Sequence, residues 1–113
     1  MKNHFTMDYK ISPDTLEWTN SKVNGFAAKE LINLKNGSVK LIEVSPNSSY
    51  PRHKHPDKTE YALILEGVVD FKIDTMNFKG QVGDFIIFPT NVNHAIINSS
   101  ETICKMLIGS IAS

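Results

Sequence analysis

Four residues of this 113-residue chain have the types and spacing to do chemistry together: His53, His55, Glu60 and His94. His53 and His55 are two apart in Tyr50-Pro51-Arg52-His53-Lys54-His55. On an extended strand, residues i and i+2 point to one face, so the two imidazoles converge while Arg52 and Lys54 point away. Pro56-Asp57-Lys58-Thr59 is polar and turn-prone and can reverse the chain, so Glu60 opens a following strand that runs to Leu65, with Ala62 and Ile64 on its face. His94 follows the Pro89-Thr90-Asn91 turn and begins another strand. Three imidazoles and a carboxylate meeting inside a small barrel would make a metal site.

With a divalent ion, three neutral imidazoles and one carboxylate leave a net charge of about +1. The mixed nitrogen and oxygen donors suit Fe, Mn, Co, Ni or Zn and suit Ca poorly. An octahedral ion keeps two positions open, enough for a bidentate hydroxy acid, an enediol or, with Fe(II), dioxygen beside a substrate. Three plainer readings stand beside this one. The four residues could form a metal-free polar cluster, or hold a structural ion, although structural zinc favours cysteine and closed coordination. Glu60 could also serve as a general base.

The elements that must position these residues are short. Turn signals at Ser12-Pro13-Asp14, Asn24-Gly25, Asn36-Gly37, Ser45-Pro46-Asn47, Glu66-Gly67, Lys79-Gly80, Gly83-Asp84 and Pro89-Thr90-Asn91 leave segments rich in Ile, Val, Phe and Leu that fit strands. Val68 to Ile73 alternates, with 69, 71 and 73 on one side. Glu60 to Leu65 and Phe85 to Phe88 are nearly continuous apolar runs, as in strands buried on both faces. Phe26 to Leu34 has some helical periodicity, but Asn24-Gly25 and Asn36-Gly37 bracket it like hairpin turns, so it reads as strand. Many short strands between Gly and Pro turns give an all-β sandwich or barrel.

Composition narrows the partners. Twelve basic and twelve acidic side chains cancel, which argues against nucleic acid or an anionic membrane as the main partner. No apolar run approaches the ~18–20 residues that cross a bilayer. Met1-Lys2-Asn3-His4 has no apolar leader, and the single cysteine, Cys104, forms no internal disulfide, so the expected location is cytoplasmic. His4 reads as a surface residue, and Cys104 as a small buried hydrophobe.

Arranged by spacing, these residues resemble the cupin superfamily of small barrels. The first cupin motif is Gly-x5-His-x-His-x(3–4)-Glu-x6-Gly, and here Asn47, His53, His55, Glu60 and Gly67 stand at that spacing. The second is Gly-x5-Pro-x-Gly-x2-His-x3-Asn, matched by Gly83, Pro89, Asn91, His94 and Asn98. Both departures replace Gly by Asn, the residue that best tolerates the positive φ a turn glycine supplies.

The resemblance implies a double-stranded β-helix, a jelly-roll-like barrel, over 26–113, with metal held by His53, His55, Glu60 and His94. Gly67, Gly83, Pro89 and Asn98 then shape turns and corners. Tyr50, Phe71, Phe88 and Met106 are candidates to line the pocket, with core packing as the plainer role. Residues 1–25, anchored by Trp18, would pack on the barrel or on a second subunit of a homodimer. Arg52, Lys54 and Lys58 could steer an anionic ligand or simply form a solvated rim. The family's chemistry implies one divalent transition metal and a small polar organic substrate, in a dioxygenase-, isomerase-, decarboxylase- or lyase-like reaction. A binding or metal-sensing module without turnover is the alternative.

Overall fold

The computed structural model describes residues 9–113, and His4 lies outside them. Among the described residues a single 3-10 turn, Pro13–Thr15, precedes ten strands. These are β1 (Thr19–Asn20), β2 (Phe26–Leu34), β3 (Gly37–Val44), β4 (Ser48–His53), β5 (Lys58–Glu66), β6 (Val69–Ile73), β7 (Met76–Gly80), β8 (Phe85–Phe88), β9 (His94–Asn98) and β10 (Cys104–Ala112). They form a six-stranded sheet, β1-β2-β3-β10-β5-β8, facing a four-stranded one, β4-β9-β6-β7, with every pairing antiparallel. This is the all-β jelly-roll-like barrel expected from the sequence. No helix among the described residues is long and apolar enough to cross a membrane.

Phe26 to Leu34 is strand, because eight of its nine residues pair along β3, with Leu31 left out at a register shift, and so satisfy backbone and apolar face together. The connection is Lys35-Asn36, one residue earlier than the Asn-Gly dipeptide suggested, since Gly37 already pairs with Leu34. Asn47 and Asn91 have φ of 54° and 62°, the left-handed conformation expected where the motifs carry glycine. Asp74 joins them at 55°, unforeseen in the sequence.

Inward-facing side chains are fully buried at one end of the barrel and only partly covered at the other. Along β3 the series runs from fully buried Val44 through half-buried Ile42 to exposed Lys40 and half-buried Ser38. Along β10, Cys104 and Met106 are fully buried, while Ile108 and Ser110 are half-buried. The closed end holds Val44, Val69 and Cys104, with Ile64, Phe71 and Phe88 further in. The other end is an open mouth.

The outer face of the larger sheet corrects one expectation. The runs in β5 and β8 are not buried on both sides in the single chain: Leu65 is 44%, Phe85 57% and Ile87 55% exposed. No layer among the described residues lies over them. Near the opposite edge of the sheet, the N-terminal segment crosses that face, where Lys29 Nζ sits 4.6 Å from the centre of the Trp18 ring and donates to Pro13 O at 2.8 Å.

Candidate metal centre

At the mouth, one ligand atom from each of His53, His55, Glu60 and His94 lies within 4.8 Å of the others. The two sheets share the work. His53 ends β4 and His94 begins β9, directly paired in the smaller sheet, whereas Glu60 belongs to β5 of the larger one. His55 follows β4 in the connection to β5, rather than extending the strand as the two-residue spacing suggested. Its place is fixed by the Asn91 N–H, which donates to His55 O at 2.6 Å, and by a hydroxyl pair between Thr59 and Thr90 at 2.9 Å. Glu60 is the third residue of β5, since Lys58 and Thr59 already pair with β10. Ala62 and Ile64 share its face and are buried beneath it.

An irregularity in β4 matters here. The register with β9 shifts between Tyr50 and His53, around Pro51, which has no N–H to give to a ladder. The shift brings Tyr50 and His53, three residues apart, to one side, with ring centres 4.8 Å apart. Tyr50 thus stands half-buried beside the cluster, its other edge on Phe26. Phe88 backs His94 at 4.6 Å and is fully buried, as are Phe71 and Met106, so three of the four aromatic and Met candidates lie in the core. Half-buried Ile42, Ile73 and Ile108 pack against that core at its open end. The sequence did not single them out, because only the register of β3, β6 and β10 places them there.

The rings are held in the form a metal needs. His53 Nδ1 lies 2.8 Å from Pro51 O, and His94 Nδ1 lies 3.1 Å from Val92 O. A carbonyl only accepts, so each Nδ1 donates to it, which fixes the ring and leaves Nε2 as the nitrogen available to a metal. Glu60 Oε1 is 3.1 Å from His55 Nε2 and 3.4 Å from His94 Nε2. Glu60 Oε1 and the two ring nitrogens thus converge at a range where one metal ion could sit among them. Glu60 Oε2 faces Lys58 Nζ at 3.8 Å.

Electrostatics agree with this arrangement. Burial alone would push the Glu60 carboxyl up, but the hydrogen bond with His94 and the neighbouring His55 and Lys58 outweigh it and hold the group below the ordinary carboxylate range. Burial pulls His55 below the usual imidazole value, with Lys58, His53 and His94 adding to the effect and Glu60 opposing it. An ionised carboxylate beside a neutral imidazole is the protonation state of a ligand set. Lys54 is exposed, and Arg52 extends away to Asp74 O at 3.1 Å, so of the three basic residues near the mouth only Lys58 touches the cluster.

Comparisons with known proteins point the same way. A family model described as the cupin domain matches residues 40–109. Germin-like protein subfamily 1 member 7 of Arabidopsis thaliana is 24% identical over 111 residues, covering 89% of this chain and 48% of the relative, so the chain spans about half that protein's length. A predicted oxalate decarboxylase from Thermotoga maritima superposes with a TM-score of 0.85 at 19% identity, over 92% of this chain and 99% of the other. The polyketide cyclase RemF from Streptomyces resistomycificus gives 0.83 at 19% identity, over 93% and 80%. At such identities the structural likenesses establish the fold alone. With the family match spanning well over half its residues, and both sheets closing on the histidine-bearing mouth, this chain belongs to the cupin family.

Proposed function

We propose that the chain is a metal-dependent enzyme acting on a small polar organic molecule held at the mouth. The carrying observation is the convergence of four ligand atoms within 4.8 Å at the open end of the barrel. His53, His55, Glu60 and His94 are the ligands for one divalent Fe, Mn, Co, Ni or Zn ion. When bound, the ion supplies Lewis-acid polarisation of a substrate oxygen or, as iron, a seat for dioxygen. The chain's own residues do the rest. Nδ1 hydrogen bonds to Pro51 and Val92 fix the rings of His53 and His94. Tyr50, Ile42, Ile73 and Ile108 exclude water from one side of the bound molecule. Glu60, ionised and with Oε2 turned to Lys58, is placed to accept a proton from it.

The test is metal analysis of untagged, chelator-free protein, followed by screens for substrate and oxygen consumption. About one ion per chain, lost in His94→Ala, together with turnover, supports the proposal. Metal with ligand-dependent thermal shifts but no turnover makes the chain a binding or sensing module. Absence of metal after reconstitution overturns both.

We further propose that the chain is a homodimer joined through the outer face of the six-stranded sheet. Ile32, Leu34, Leu65, Phe85, Ile87 and Ile111 are each 44–58% exposed. Lone residues of this kind are ordinary, but a contiguous sheet face of them is not. Residues 1–25, of which 1–8 lie outside the described residues, are proposed to pack as a segment on the barrel 26–113 or on a second subunit. Buried, unpaired Cys104 supports a reducing, cytoplasmic setting.

A further inference from the structure

A second polar feature lies on the inner wall beside the cluster. Ser110 on β10 is directly opposite Glu60 on β5, and Ser38 on β3 is directly opposite Ser110. Their inward direction is fixed independently. The neighbouring Gly109 lies beneath the Tyr61 ring on the outer face, where an added Cβ would meet that ring at 2.3 Å, so Ser110 points the other way. The two hydroxyls share one hydrogen bond of 3.1 Å and make no other side-chain hydrogen bond among the described residues. A pair of hydroxyls in one mutual bond retains one O–H donor and three lone pairs. Both residues are half-buried, at the mouth end of strands whose next inward positions include Ile108 and, beyond Lys40, Ile42.

We infer that Ser38 and Ser110 form a hydroxyl-binding subsite for the substrate of this centre. A molecule with one end at the histidine cluster meets the serine pair roughly 5–10 Å away, the span of one to two neighbouring strands. Lys58, beside Glu60, adds a positive charge at the first end. The matching ligand is a small polyhydroxylated carboxylic acid, with its carboxylate and α-hydroxyl at the cluster and a chain hydroxyl on the serines. This rests on the metal-centre reading above, and the ligand class follows from the serine row.

The test uses Co(II)-loaded full-length protein and two probes with the same α-hydroxy acid head and six-carbon chain, gluconate and 2-hydroxyhexanoate. Binding is read by calorimetry and by perturbation of the Co(II) visible bands. Gluconate is expected to bind about tenfold tighter. Ser38→Ala/Ser110→Ala is expected to abolish that ratio, leaving Co(II) content and 2-hydroxyhexanoate affinity unchanged. If the pair of substitutions impairs folding, Ser38→Ala alone is expected to reduce the ratio several-fold. An unchanged ratio in the folded variant, or equal binding of both acids to the native protein, overturns the subsite while leaving the metal centre intact. Failure to take up Co(II), or to bind either acid, overturns the metal-centre reading and the subsite with it.

Discussion

The side-chain amide of Asn98 on β9 donates to the carbonyl of Val44 on β3, 3.2 Å away, joining the two sheets at the end of the barrel farthest from the histidines. The same amide reaches Ser45 O at 3.1 Å and Thr102 O at 2.8 Å, while its oxygen accepts from the N–H and hydroxyl of Ser100 at 3.0 and 2.7 Å. Asn98 is fully buried. Asn98→Ala removes its hydrogen bonds to the buried Val44 carbonyl and to two part-buried ones, and is expected to cost about 2–3 kcal/mol, read as a lower urea midpoint at unchanged slope. Asn98→Asp, which cannot donate, should be at least as damaging. Wild-type stability in either variant would show that the amide does not tie the sheets.

Asn91 tests the reading of the two Gly-to-Asn departures. Its φ of 62° suits glycine or asparagine, and its N–H holds His55 through the carbonyl. Asn91→Gly is expected to be nearly neutral, whereas Asn91→Ala should cost about 1 kcal/mol of stability. Metal affinity should fall in the Ala variant, measured by chelator competition, because relaxing the positive-φ turn would shift the backbone N–H that holds His55. Equal behaviour of the two variants would refute the argument.

Asp70 gives a pH signature remote from the cluster. Hydrogen bonds from Lys79 and Ser99, at 2.7 and 2.6 Å, hold its carboxyl below the ordinary range against a smaller opposing effect of burial. A depressed folded value means the stabilisation is fully present above the unfolded value and fades as pH falls through the folded one. Because Lys79 is largely exposed, the contribution is modest, about 0.5–1 kcal/mol. Denaturation curves should show Asp70→Asn weaker than wild type at pH 6, with the gap closing below pH 4. A gap that persists undiminished into acid would contradict this.

The outer sheet face makes a prediction about mass. Light scattering at micromolar concentration should give twice the 12.7 kDa of the chain. Phe85→Lys/Ile87→Lys places two charges on the exposed face and should yield a monomer that still binds metal. A monomeric wild type would remove the dimer proposal.

The barrel and its four converging residues were legible in the sequence because strand alternation and motif spacing are local signals. His53, Glu60 and His94 each sit beside a turn whose residues announce it. Three features were not legible, for a shared reason. The phase change that brings Tyr50 beside His53 depends on how the ladder accommodates Pro51, and spacing alone suggested a regular strand through His55. The serine row depends on the register of β10, whose partners Ser38 and Ser110 are 72 residues apart in the chain. The bare faces of β5 and β8 carry the same apolar residues that a two-sided burial would require, so sequence pattern cannot tell a face covered by the same chain from one left open.

The division of ligands between the sheets also has a mechanical side. At one end of the barrel the sheets are hinged by the Asn98 amide. At the other they are bridged through Glu60 from one wall and His53 and His94 from its opposite. An ion there would act as a latch across the jaws, and its removal would leave them free to part while the hinge stays shut. Amide exchange in the metal-free protein should therefore quicken first around His94 and Glu60 and last around Val44 and Asn98, so that occupancy of the site can be followed as the stiffness of one end of the barrel.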